Sequence, residues 1–247
     1  MAKAITLCLC KGEVQMTIAV MIQKMSEGLG RTCGIFFLTL LFSLPLGLVM
    51  ALLRNCRFRV VRSFMRALIS MLRGTPLMLQ LLAVTYGPFY LSKALSDLLL
   101  KWGYISDPFM IGIPQNKLVP IIIGFAVNYA AYFAEIYRGG IESMPVGQYE
   151  AAAVLGYSKF QTFMRIILPQ VVKRILPSVT NEIITLVKDT SMSFTVAYQE
   201  MFTIGKQIAN SQSSFMPFII AGVFYYVFNS LVDFVMSRIE KSLNYYR

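Results

Sequence analysis

Residues 32–53 read TCGIFFLTLLFSLPLGLVMALL, a run without one charged side chain. A helix of that length spans a hydrocarbon core of about 30 Å. A helix apolar on every side belongs either in a large core or in a membrane. The whole chain decides between them: of 247 residues 56% are hydrophobic and only 14% charged, with a mean hydropathy of +0.61. The expected class is an all-α, polytopic integral membrane protein.

On either side of this first span the pattern repeats. Residues 1–31 carry Val14, Ile18, Met21, Ile22 and Met25 at helical spacing, so this stretch either lies along the bilayer interface or leads into the span. After the span come Arg54, Arg57, Arg59, Arg62, Arg66 and Arg73, with no acid among them. A second span is expected from Met65 to Leu91, a third from Leu118 to about Arg138, a fourth around Ile175–Val187 and a fifth over Ile208–Val232. Placing the 54–73 loop, residues 138–174 and the charged tail on one side puts fourteen basic residues there against eight on the other. The richer side is cytoplasmic by the positive-inside rule, which sets the N-terminus outside. With no linker or repeat, residues 1–247 read as one transmembrane domain.

The cytoplasmic segment, residues 139–174, contains EAAAVLGYSKFQTFMRIILP from Glu150 to Pro169. Pro145 opens a short helix, and Gly156 follows its last apolar residue as a C-terminal cap would. Ser158 can cap a second helix with Phe160, Phe163, Met164 and Ile167 on one face, ending at Pro169. The blocks Glu150-Ala151-Ala152, Gly156 and Ile166-x-Leu168-Pro169 resemble the EAA loop of bacterial ABC importer permeases. That resemblance implies a type I ABC importer-like permease in the bacterial inner membrane. In it Glu150, Ala151, Ala152 and Gly156 would form the coupling helix that docks on an ATPase subunit.

The informative charges lie in the fourth span. Ionisable groups within a span are costly unless paired or facing water. Glu182 and Asp189 are seven apart and share a face if the helix is continuous, whereas Lys188 points elsewhere. Two readings stay open on the residues alone. In one, these groups hold a zwitterion, with Lys188 or exposed backbone N–H groups on its carboxylate and the acids on its ammonium. In the other, they form an internal ion pair that holds the helix to its neighbours. Further blocks, R-G-T-P (Arg73 to Pro76) with Gln80, N-x-A-A-Y-x-x-E-I-x-R-G-G-I (Asn128 to Ile141) and K-D-T-S (Lys188 to Ser191), resemble the polar amino acid branch of these permeases. The resemblance implies substrate contacts at Glu182, Lys188, Asp189 and Ser191, with Thr75, Gln80 and Asn128 as further candidates. Gly74-Thr75-Pro76 also suits helix packing, and Glu135 and Arg138 read as a structural i, i+3 pair. Met192 stands where the family usually has Leu, and Tyr129 where a small residue is common.

Several classes are excluded. The net charge of +11 borders apolar runs and does not form a soluble face, so no nucleic acid partner is expected. Four cysteines and no histidine give no metal site and no Ser/His/Asp or Cys/His set. No G-x-x-x-x-G-K-[ST] occurs, so the chain is not an enzyme; ATP and Mg would be bound by a partner subunit. The expected partners are that ATPase, a second permease copy or paralogue, and an extracytoplasmic substrate-binding protein. Glu182 leans the substrate toward a cationic L-amino acid. The rival readings are an ion-coupled carrier or channel using Glu182 and Asp189, and a membrane scaffold without transport.

Overall fold

The charge-free run becomes the centre of α1, Ile18–Arg54, with Pro45 inside it. The computed structural model describes residues 9–10, 13–14 and 16–243. Leu9–Cys10 and Glu13–Val14 pair as two short antiparallel strands. Val14, expected on the same helical face as Ile18, is therefore in a strand. The remaining elements are α2 (Arg59–Gly74), α3 (Leu77–Lys101), α4 (Leu118–Glu142), α5 (Val146–Val154), α6 (Lys159–Thr162), a π turn (Phe163–Ile167), α7 (Leu168–Asp189), a 3-10 turn (Thr190–Val196), α8 (Met201–Gln212) and α9 (Met216–Leu243). Among the described residues α1, α4 and α9 are each long and apolar enough to cross a membrane, and the broken pair α2 and α3 together makes a fourth such element.

Three helices expected to be continuous or to stop do otherwise, and proline explains each. The second span breaks at Thr75-Pro76. Pro76 has no N–H to give the Leu72 carbonyl and biases Thr75 away from helix; that carbonyl accepts the buried Asn128 amide at 3.2 Å instead. The fifth span begins only at Met216, because Pro217 cannot bond back to Ser213. Ser213 instead adopts a left-handed φ of 46° that closes α8. Pro169 does not end its helix. The turn before it widens to π geometry, with Leu168 N–H reaching the Phe163 carbonyl, and the chain continues helically to Asp189. A π turn makes room for the ring that would otherwise clash with the i−4 carbonyl.

The chain falls into two compact units, one of Met1–Thr39, Thr75–Phe125 and Asp189–Tyr226, the other of Leu40–Gly74, Ala126–Lys188 and Val227–Arg247. In the first, the amphipathic face of early α1 packs Met21 and Met25 against Met201, Ile208, Ile220 and Ala221. Glu200, fully buried, caps α8: its carboxylate accepts from the N–H of Phe202 and of Thr203, both at 2.7 Å, and from the Thr203 hydroxyl at 2.9 Å. The Tyr225 and Thr32 hydroxyls add bonds of 3.2 and 3.4 Å. A buried acid without a cation needs such a full set of donors.

In the second unit Met50 and Ala51 of α1 and Met65, Ile69 and Leu72 of α2 pack on Ala130, Ala131 and Ala134 of α4. Inside a bilayer, burying apolar surface gives helices no advantage over lipid, so small residues and polar contacts must hold them. Both are present. The alanines let the helices approach, and Glu135 gathers Arg54, Arg138 at 2.9 Å and Arg73 at 3.7 Å, while Arg138 also meets Glu142. Arg73 lies over the Tyr132 ring at 5.3 Å. The i, i+3 pair read from sequence is thus part of a larger cluster that ties R-G-T-P to A-A-Y-x-x-E.

Gly140 shows how close α4 and α7 come: an added Cβ would sit 2.1 Å from Ile175 Cγ2, whereas one at Gly139 would meet nothing. Gly140→Ala is expected to cost about 1–3 kcal/mol by overpacking and to lower the thermal unfolding midpoint in detergent. Adding Ile175→Ala should restore part of the loss. Equal destabilisation by Gly139→Ala would contradict this packing.

Candidate functional site

α7 carries the candidate residues Glu182, Lys188 and Asp189, and its entry is built by local signals. Ser158 and Gln161 make a reciprocal capping box: Ser158 Oγ accepts from Gln161 N–H at 3.3 Å and Gln161 Oε1 from Ser158 N–H at 3.0 Å. From there the helical path runs through the π turn into α7. Its inward side is apolar, with Ile183, Leu186 and Val187 buried, and Thr180 there donates to Glu240 at 2.8 Å. The other side exposes Ser178, Asn181, Thr185 and Lys188 at i, i+3, i+7 and i+10, with Glu182 half-buried beside them. Asn181 and Thr185 were not singled out in the sequence, although their 3–4 spacing to Ser178 and Lys188 carries the signal.

α7 is continuous from Glu182 to Asp189, so the condition for those two acids to share a face is met. Asp189 is its last residue, and the backbone then tightens into the 3-10 turn of Thr190–Val196. That turn holds Ser191 half-buried and ends at Ala197 with a left-handed φ of 55°. The Ser193 hydroxyl bonds the Thr190 carbonyl at 2.8 Å and that of Thr195 the Met192 carbonyl at 2.9 Å, which stiffens the turn. In the first unit this turn packs against α3, the helix opened by Thr75 and Gln80. The Gln80 amide donates to the Thr75 hydroxyl at 2.8 Å and to its carbonyl at 3.2 Å, so the two brace the start of α3. Asp189 and Ser191 belong to that first unit, Glu182, Lys188 and Asn128 to the second. Asn128 is buried on the Leu72 carbonyl, a positioning geometry. Tyr129 is buried beside Tyr132 and Phe133, their rings about 6.3–6.4 Å from its own.

The second candidate surface is α5 with the turn that follows. Gly156 N–H bonds the Ala153 carbonyl at 3.0 Å and Tyr157 N–H that of Ala152 at 3.1 Å, the paired bonds of a Schellman cap. The cap places Gly156 at a φ of +80°, the left-handed region that favours glycine. Ala152 is buried, while Glu150 and Ala151 are exposed. Val154, Leu155 and Phe160 are 88%, 73% and 73% exposed, and an apolar patch displayed on a segment between spans marks an interaction surface. α5 is braced to α7. Gln170 reaches Gln148 at 3.4 Å, Arg174 donates to the Ser143 carbonyl at 2.7 Å, and Met144 packs on Ile167 and Val171. Contact between α5 and α7 thus runs through Gln148 and through Ser143 and Met144 just before α5.

Gly156→Ala meets no neighbouring atom, so its cost is conformational, about 1–2 kcal/mol at that turn. It should speed limited tryptic cleavage after Lys159 while leaving the unfolding midpoint nearly unchanged. Gly147→Ala, inside α5 with open space around it, should leave cleavage as in the parent. Identical digestion of both variants would contradict the capping role.

The family model of the binding-protein-dependent transport system inner membrane component matches residues 43–245. The nopaline transport system permease protein of Agrobacterium fabrum is 32% identical over 217 residues, covering 87% of this chain and 84% of the relative. A putative glutamine transport system permease protein of Rickettsia bellii is 31% identical, covering 88% and 91%. The arginine ABC transporter permease of Escherichia coli K12 is 29% identical, covering 87% and 93%. Among solved structures, an amino acid ABC transporter with histidines superposes with a TM-score of 0.75 at 26% identity, covering 92% of this chain and 99% of that one. The inward-facing MetNI methionine ABC transporter has a TM-score of 0.62 at 19% identity, covering 93% and 100%, and shows the shared fold.

Proposed function

The chain belongs to the family of inner membrane components of binding-protein-dependent transport systems, and we propose that it forms the translocation path for cationic L-amino acids. It is the permease subunit of an amino acid ABC importer, resides in the inner membrane, and leaves ATP hydrolysis to a separate subunit. The family also implies an ATPase and a substrate-binding protein as partners. The observation that carries the substrate reading is the polar face of α7. Ser178, Asn181, Thr185 and Lys188 are exposed next to Glu182, and such a face in a bilayer must line water or another subunit.

In this reading α1, the α2 and α3 pair, α4, α7 and α9 make five crossings with the N-terminus outside. Glu182 and Asp189 hold the substrate ammonium and cationic side chain. Lys188 and the Ser191 hydroxyl hold the carboxylate. Thr75, Gln80 and Asn128 are further candidates for contact with the substrate. The segment Glu150 to Gly156 presents the docking surface to the ATPase through exposed Glu150, Ala151 and Gly156, with Ala152 buried beneath them, and a second permease, identical or paralogous, completes the path. ATP-driven closure of the ATPases moves α5, and the bracing at Gln148, Ser143 and Met144 passes that movement to α7. The chain itself needs no cofactor for this work. Relatives named for arginine and for nopaline, and a solved neighbour with histidines, support a nitrogen-rich substrate.

The test is uptake into proteoliposomes by the assembled transporter. Losing a charge-assisted contact is worth roughly 10- to 100-fold. Glu182→Gln should lower uptake of arginine by at least about tenfold while changing that of glutamine by less than about threefold. Equal loss for both would assign Glu182 a structural role.

A further inference from the structure

α2 is amphipathic in two directions. One apolar row, Met65, Ile69 and Leu72, is buried in the protein. A second row, Val60, Phe64, Ala67 and Met71, faces outward, with Val60 82%, Phe64 63% and Met71 55% exposed, and Phe58 just before the helix is 74% exposed. These four recur at i, i+4, i+7 and i+11, so they form one stripe about 16 Å long. Ser63 and Ser70 border it, and beyond them lie Arg59 and Arg66.

The arginines of this region divide into two sets. Arg54 and Arg73 are taken up by Glu135. Arg62 turns back on the Cys56 carbonyl at 3.1–3.2 Å. Arg57, Arg59 and Arg66 are exposed, and among the described residues none has an ion pair. No acid occurs between residues 54 and 73 to neutralise them. We propose that the outer face of α2 binds an anionic phospholipid, its acyl chain along Val60, Phe64 and Met71 and its phosphate on Arg57, Arg59 and Arg66.

The juxtaposition selects this occupant. An apolar stripe bordered by hydroxyls and then by uncompensated guanidinium groups is the pattern of an interfacial helix, and arginine matches phosphate oxygens in pairs. α2 starts where the apolar run of α1 ends at Arg54, which is the depth at which headgroups lie. A second copy of the chain seated on this face about a two-fold axis would bring identical arginine rows together, and like charges oppose such an isologous contact. A soluble acidic partner would satisfy the arginines but leave Phe64 and Val60 in water. One amphiphile satisfies both.

The experiment uses the full chain carrying Trp102→Phe to remove its one tryptophan and Phe64→Trp as a reporter on the stripe. The protein is placed in bilayers of phosphatidylcholine into which brominated phosphatidylglycerol or brominated phosphatidylcholine is titrated, and quenching gives the relative affinity. At about fivefold per basic residue near the surface, less screening, the preference for phosphatidylglycerol should be roughly tenfold and should weaken with salt. Replacing Arg57, Arg59 and Arg66 together by Gln should bring it within about twofold of unity, whereas Lys at all three should keep most of it. Equal quenching by both lipids in the arginine protein, or an unchanged preference in the Gln variant, overturns the proposal. Quenching by neither lipid also overturns it, because the stripe would then be covered by protein.

Discussion

In a membrane protein a charged, hydrogen-bonding helix face has to be kept from lipid, and α7 is the helix that carries such a face. Its inward side is anchored by Ile183, Leu186 and Val187 and by the Thr180 bond to Glu240. Its polar side is open, and its first turns are braced to α5. One element therefore carries both the candidate charges Glu182, Lys188 and Asp189 and contacts to the segment around α5. The helical path runs unbroken through the π turn at Phe163–Ile167 and past Pro169 into α7.

The rest of the fold supplies polar anchors where hydrophobic burial gives no advantage. Glu135 collects three arginines, Asn128 bonds the carbonyl whose usual donor Pro76 lacks, and Glu200 is wrapped by five donors. Each ties together segments distant in sequence. Close packing does the remainder: Gly28 meets Met201 Cα at 2.7 Å from its would-be Cβ, Gly47 meets Phe133 Cβ at 2.8 Å, and Gly140 meets Ile175. Arg73 and Glu135, from two separate motifs, thus meet without either residue needing to touch a substrate.

Much of this was legible in the sequence because the signals are local. The first and third apolar runs, the Gly156 cap and the Ser158 cap each depend on a few neighbouring residues, and each appears where the spacing put it, whereas most of the basic stretch 54–73, expected as a loop, is helix α2. What escaped depends on distant partners or on how a proline is absorbed. Thr75-Pro76 and Pro217 break helices, whereas Pro169 does not, and only the surrounding turn geometry separates those outcomes. The Glu200 network draws donors from α1, α8 and α9, so the one local hint was an acid three residues before Thr203. The exposed row from Ser178 to Lys188 was present as a 3–4 repeat, masked by the greater prominence of the charges at Glu182 and Lys188.

The proposed function requires the polar face of α7 to line water and to move with the ATPase. Thr185→Cys, in a background without the native cysteines, measures that directly through its rate of modification by a hydrophilic, membrane-impermeant methanethiosulfonate in the assembled transporter. The account predicts rapid modification, at least about tenfold faster than for Leu186→Cys on the buried side, and a change in rate when ATP is added. A thiol at position 185 no more reactive than one at 186, or one indifferent to ATP, would contradict it.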